Sequence, residues 1–492
     1  MIPYKSVEQV EHVESSLSTD MTQALELWYD LYLNRAPWVN GTVVKSLNLP
    51  AFVASELARQ ITLELKVNIS GKSDGANLDR PSNARSEYLT QEFQRGVMTV
   101  LRTKLEQGCA AGGMVIKPYP NTSDGHIYFD WTMDWGIYPL SFDDDGGLAD
   151  VVLPDTFTEG RTTYTRLERH KMTDRGVHIT QRAFKSSNPN MIGTEADLKE
   201  VDRWASAEKE VDVKNTDGPL FGWYKVASAN ATEVNSPMGS SVYAKAVNII
   251  KEADIQYSRL LWEYEGSELA IDVDPSVLRP RKVNVNGEVR VETPKLNERL
   301  FRSVDADKGD RDLYQVFSPN IRDANLVNGL NQLLMRVEDQ CGLSRGTLSD
   351  ANVDARTATE LNIVRQRSYA TVHDNQAALE RCLRDVIRAM DKYATLYHLA
   401  PEGEYEVSFE WDDSIITDKS QELQERLMLF NIGVIGAAEM RMWYLGETAT
   451  QAKQAIDDIQ SAKQEEIKNQ MEAQMSGQML AQPTPSKQAS TP

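Results

Sequence analysis

The chain has 492 residues, 41% of them hydrophobic and 26% charged, enough apolar material to bury a sizeable core and enough length for about three domains. Its 73 acidic against 53 basic side chains leave a formal charge of -20, which argues against an adhesive nucleic-acid binder, since a surface of that sign repels phosphate. No apolar run approaches the roughly 18 residues of a membrane-spanning helix, and "MIPYKSVEQVEHVES" lacks the apolar core of a signal peptide, so the chain is expected to act in cytoplasm.

The first 65 residues read as helical. "TQALELWYDLYLNRAPW" places Leu25, Trp28, Leu31 and Tyr32 on one stripe, and "AFVASELARQITLEL" repeats the pattern after Pro50, with Ala-Pro-Trp at 36 to 38 between them. A helix over about 86 to 107, carrying Leu89, Phe93, Val97, Leu101 and Leu105, runs into "GCAAGG" and a strand-like "MVIKPY". Alternating segments continue to about 230, including a hairpin closed across Thr173-Asp174-Arg175-Gly176. At "NSPMGSS" Pro237 and Gly239 break the chain, and Ser240 is expected to cap a long helix reaching about Glu265. "RKVNVNGEVRVE" then turns about Asn286-Gly287, a strong hairpin signal. A second helix runs from about 321 to 341 through Leu326, Leu330, Leu333 and Val337. The small, polar "CGLSRGTLSDANVDARTATEL" interrupts the helical pattern before a third helix over about 357 to 398, which would be ~60 Å long if unbroken. A strand, "YEVSFEW", precedes helices starting near Asp418 and Ala449, and "QPTPSKQASTP" has the composition of a disordered tail.

Candidate chemistry is thin. "SGKS" at 70 to 73 resembles the end of a phosphate loop, but Lys66 stands where the first glycine belongs. "GCAAGG" runs helix, glycines, strand, the reverse of an anion-binding turn, and reads as close packing of two elements. "SFDDDGG" has calcium-loop spacing at Ser141, Asp143 and Asp145, yet Val152 replaces the bidentate Glu, so a polar turn is expected. The six histidines form no zinc or nucleophile pattern, and Cys109, Cys341 and Cys382 read as buried free thiols. No catalytic residue, metal or cofactor is assigned.

Taken in order, "WYDLYLNRAPW" with "SLNLP", "NSPMGSSVYAKA", "CGLSRGTLSDANVDARTATEL" before the longest helix, "WDDSIITDKSQE" and "YLGETATQAKQAI" resemble the portal proteins of long-tailed bacteriophages, of the siphophage type from Gram-positive hosts. One departure is visible: Arg345 stands where that family's loop string has proline. The resemblance implies an α+β, helix-rich subunit in a ring of about twelve around a channel at one capsid vertex of the virion, assembled in host cytoplasm. Through it double-stranded DNA would be packaged by terminase and later ejected, with a head-tail adaptor, the major capsid protein and scaffolding protein as further partners, and with no membrane involved. Residues 1–239 would form a mixed wing, 240–265 and 321–342 two stem helices, 266–320 a clip and 343–357 a tunnel loop. Residues 358–414 would form a long helix and strand between wing and crown, 415–481 a helical crown and 482–492 the tail. Ser344, Arg345, Thr347, Ser349, Asp350, Asp354 and Arg356 would line the channel, their mixed signs allowing weak contact with phosphate.

The clip departs from the global charge. From Pro275 to Arg302 seven basic residues (Arg279, Arg281, Lys282, Arg290, Lys295, Arg299, Arg302) stand against Glu288, Glu292 and Glu298, a local +4. Such a stretch either docks the motor, adaptor or DNA, or is a solvated hairpin face. Two other function classes remain: a carboxylate-dependent hydrolase at Asp143 to Asp145, for which no convergent site can be assembled, and a helical scaffold or other oligomeric virion protein, which leaves the β-rich segments unexplained.

Overall fold

The computed structural model describes residues 3–71, 83–121, 123–205, 207–273, 281–285, 288–292, 301–303, 314–350, 358–411, 419–445, 452–461 and 463–464. The chain divides into two units, Met1–Trp411 and Asp412–Pro492. In the first, helices α1 (Tyr4–Glu11), α2 (Thr19–Tyr32) and α3 (Leu49–Thr62) precede strand β1 (Leu65–Gly71). The Ser18 hydroxyl accepts the Met21 N–H at 3.1 Å and starts α2, which buries Met21, Leu25, Trp28 and Leu31 at helical spacing. α3 buries Val53, Ala54, Leu57, Ala58 and Ile61 in the same core.

The single helix expected over 86 to 107 is two. α4 (Ala84–Phe93), opened by a capping box between Asn83 and Ser86, passes through a π-turn at Gln94–Met98 before α5 (Leu101–Ala111) begins. Gly96 lies in this π-turn directly beneath the Phe129 ring, where a Cβ would collide with it. At the end of α5, Gly112 takes φ +95° and a Cβ there would sit 2.9 Å from the backbone of Gly239, so "GCAAGG" does allow two segments to meet closely.

Next come β2 (Gly113–Asn121), β3 (His126–Met133), β4 (Tyr138–Phe142), β5 (Leu148–Glu159), β6 (Thr162–Thr173), β7 (Gly176–Ser186), β8 (Thr194–Ala196), β9 (Glu210–Lys214) and β10 (Gly222–Lys225). β10, β2 and β3 form one antiparallel sheet, and β4-β5-β6-β7-β8, with β9 also on β7, forms another. Thr173 pairs with Gly176 across the expected hairpin.

Helix α6 (Val247–Gly266) starts later than expected, and Ser240 does not cap it. Ser240, Ser241 and Tyr243 are buried, the Val242 N–H donates to the Cys109 carbonyl and the Tyr243 hydroxyl to the Trp28 carbonyl. Tertiary anchoring holds 240–243 off the helix path, and a 3-10 turn at Ala244–Ala246 leads into it. Beyond α6 lie β11 (Ala270–Val273), β12 (Arg281–Val285), β13 (Glu288–Glu292), β14 (Phe301–Ser303) and β15 (Tyr314–Phe317). β12 and β13 pair as the antiparallel hairpin expected about Asn286-Gly287, while β11 lies between β14 and β15.

α7 (Asp323–Cys341) and α8 (Ala358–Leu396) follow, then β16 (Tyr405–Trp411), which pairs antiparallel with β1. α8 buries Leu379, Cys382, Leu383, Val386, Ile387 and Met390 and packs on β10, β2 and α3. The second unit contains α9 (Lys419–Asn431) and α10 (Ala437–Leu445), then a helical stretch over 452–461. α10 was not anticipated. α9 and α10 line a cavity of about 350 Å³ through Leu423, Phe430, Met440 and Tyr444.

Candidate functional site

α6 and α7 form an antiparallel pair. Gln256 Nε2 donates to the Leu326 carbonyl at 3.2 Å, and farther along Arg322 donates through Nη2 to Glu263 at 2.7 Å. That hydrogen bond holds the Glu263 carboxyl below the usual carboxylate range. Near the core the pair is buried at Ile250, Ala253, Val337 and Cys341, but outward along it burial fades. Trp262 is 67% exposed, Leu269 53% and Ile321 48%, with Tyr264 and Val327 also exposed. Among the described residues, the far end of the pair and the chain flanking it therefore leave apolar side chains exposed.

At the near end, α7 stops at Gly342, whose φ of +70° makes it a left-handed C-cap, with Thr371 of α8 packed against it. The chain then folds back along α7. Glu338, with no exposed surface, receives the Gly346, Leu348 and Ser349 amides on Oε1 at 3.1, 2.5 and 2.9 Å and the Ser349 hydroxyl on Oε2 at 2.8 Å. Asn331 Oδ1 accepts the Asp350 N–H at 2.8 Å, and Arg345 donates to Asp339 at 3.3 and 2.8 Å. Leu343 is buried and Leu348 packs against the core. Thr347 returns both its N–H and its hydroxyl to the Ser344 carbonyl.

Five of the loop residues singled out from sequence thus lie in one turn structure: Ser344, Arg345, Thr347, Ser349 and Asp350. Arg345 and Asp350 are exposed, whereas Ser349 is buried against Glu338. Asp354 and Arg356 lie outside the described residues. Sequence reading missed Glu338, Asp339 and Asn331, because a polar residue in an amphipathic helix gives no local sign that its partners come later in the chain, up to eleven positions on for Glu338 and nineteen for Asn331. Of the basic stretch, Arg281 and Lys282 fall on β12, Arg290 on β13 and Arg302 on β14. Arg279, Lys295 and Arg299 lie outside the described residues. The hairpin register sets Arg281 opposite Glu292 and Lys282 opposite Val291.

The discarded candidates resolve simply. Asp143 Oδ1 accepts the Asp145 and Gly147 amides at 3.1 and 2.6 Å, a polar turn between β4 and β5. Among the described residues no group of three His, Cys, Asp or Glu could hold a metal. The three cysteines are free and buried, and burial pushes the Cys109 and Cys341 thiols up to about 12, away from nucleophilic chemistry. A second concentration of charge, Lys117 with Glu168 at 2.6 Å, Asp130 at 3.4 Å and Arg166 beside both acids, is internally paired within the sheets.

Residues 105–469 match the family model for phage portal proteins of the SPP1 Gp6-like kind, a span from α5 into the second unit. The chain belongs to that family. No curated protein matches it. As a member of a portal family the subunit is a structural component of a bacteriophage virion with a role in DNA packaging, and it has the mixed α+β make-up consistent with a portal fold. Among the described residues no helix of the portal subunit is long and apolar enough to cross a membrane.

Proposed function

We propose that this portal subunit assembles, in host cytoplasm, as a ring of about twelve copies around a channel at one capsid vertex. Double-stranded DNA enters through the ring under the terminase motor and leaves through it at ejection, while a head-tail adaptor and the capsid and scaffolding proteins attach around it. In this reading 1–239 is the wing, α6 and α7 lie in the stem (240–265 and 321–342), 266–320 is the clip, 343–357 the tunnel loop, 358–414 the link to the crown and 415–481 the crown.

The observation that carries the reading is the bare apolar end of the α6–α7 pair. Exposed Trp262, Leu269, Ile321 and Val327 on and next to these helices call for a cover, and in a head-to-tail ring each copy supplies it to the next. Charge supports the same picture. A chain of net -20 does not grip a polyanion, and Arg345, the exposed cation of the described loop, is already forked onto Asp339. A wall with few free cations lets DNA slide. The DNA-passing role is thus one of geometry and low friction, with no bond made or broken by the subunit.

The test is direct: mass photometry and electron microscopy of the purified full chain. Rings with a central channel are expected. A stable monomer or dimer at micromolar concentration, with no rings, would overturn the proposal.

A further inference from the structure

We propose that Glu338 is a positioning residue whose buried carboxylate ties the segment 343–350 to the last turns of α7, so that loop and helix move as one body. The inference rests on the reading of that segment as part of the channel loop. Its physical basis lies in where the loop's backbone hydrogen bonds go. Three consecutive-region amides, of Gly346, Leu348 and Ser349, converge on one carboxylate oxygen, and the Ser349 hydroxyl takes the other. Hydrogen bonds to an ionised acceptor are roughly twice as strong as neutral ones, and the Glu338 acceptor has no exposed surface.

The direction of the fold-back follows from helix geometry. Asn331 and Glu338 are seven residues apart, two turns of α7, and so share one face. Glu338 holds Gly346, Leu348 and Ser349 and Asn331 holds the Asp350 amide, so the chain retraces that face away from the helix end. Gly346 takes φ +92°, the left-handed region, which lets its N–H turn inward to the carboxylate. The exposed Arg345–Asp339 pair adds little by comparison, because solvent screens it. A shift of α7 along or about its axis therefore carries the loop with it, which would pass a movement of the stem to the residues that face DNA.

Hydrogen exchange read by mass spectrometry on the assembled full chain tests the tie. In Glu338→Ala the amides of Gly346, Leu348 and Ser349 lose their charged acceptor, and of the three only Gly346 has another in reach, the Ser349 hydroxyl at 3.1 Å. They should exchange at least about tenfold faster than in the wild type, with the interior of α7 unchanged. Glu338→Gln keeps an acceptor oxygen at the same reach, so it should fall between the two, and this conservative rescue separates positioning from bulk packing. If Glu338→Ala does not fold, Glu338→Gln alone must still speed exchange at those amides. Unchanged exchange at 346 to 349 in every soluble variant would overturn the proposal. Equal loss of protection along the whole of α7 would overturn it too, in favour of a general structural role. DNA packaged into preformed capsids is the separate readout for the channel reading. A ring-forming Glu338→Ala portal should package less, whereas loosened amides with wild-type packaging would uphold the tie and refute the loop's part in DNA passage.

Discussion

Replacing Asp134 by Asn should change how stability depends on pH. Asp134 sits in a 3-10 turn after β3, fully buried, with Oδ1 accepting the Trp223 indole N–H at 3.0 Å. Oδ2 has no hydrogen-bond partner among the described residues and lies against Gly113, where a Cβ would collide with it. Burial raises the carboxyl from its ordinary 3.8 to about 7, and the Trp223 hydrogen bond and nearby Lys225 offset only part of that rise. Below the unfolded value both states hold the proton and the native state carries no penalty. As pH climbs from there, the unfolded chain ionises first, so native stability falls by up to about 1.4 kcal/mol per pH unit and by about 4 kcal/mol in all, levelling off above the native value. Asn binds no proton and keeps an acceptor for Trp223. Urea unfolding of both chains from about pH 4.5 to about pH 8 should show the variant gaining steadily on the wild type until neutral pH, then running parallel to it. Curves parallel throughout that window would refute the reasoning.

Trp262→Glu should leave the subunit's own melting nearly unchanged, since two-thirds of the indole is already exposed, but rings should dissociate in mass photometry. If a neighbour buries the exposed part, each junction loses about 4 kcal/mol of apolar burial. Gly342→Ala forces a left-handed residue and presses a methyl group into Thr371, so the thermal unfolding midpoint should drop by the equivalent of about 1–3 kcal/mol. In the basic hairpin the register decides which substitution is informative: Arg281→Glu would set like charges opposite each other at Glu292 and loosen the strands by up to about 1 kcal/mol. Lys282→Glu, opposite Val291, avoids this; with Arg279→Glu it should preserve rings yet lower DNA packaging, most at low salt, and equal packaging at every salt would assign the stretch to a solvated face.

What could be read from the sequence was what repeats locally. The stripes of α2, α3, α6, α7 and α8 and the hairpins at 173–176 and 281–292 follow from periods of 3.6 and 2. What could not be read depends on distant partners. Ser240 is a good helix cap by type, but Cys109 and Trp28 hold the following residues away from the helix. The π-turn at 94–98 contains Gly96, placed under a ring that belongs to Phe129. In the loop, glycines and serines announced a turn, while the carboxylate that organises it sits inside α7, where nothing in the pattern sets Glu338 apart from a solvated helix face. α10 escaped notice because "GAAEMRMWYL" is too short and too evenly apolar for one stripe to stand out.

The pairing of β1 with β16 also governs when a copy of this chain is finished. Leu65 lies opposite Trp411 and Gly71 opposite Tyr405, so a strand made early in synthesis waits for one made near the end. α8, which completes the core over β10, β2 and α3, emerges almost as late. Closing so large a loop is slow compared with local helix formation. A growing chain on the ribosome lacks the partner for β1 until residue 411 has cleared it, so this part of the fold closes only after most of the chain has been made.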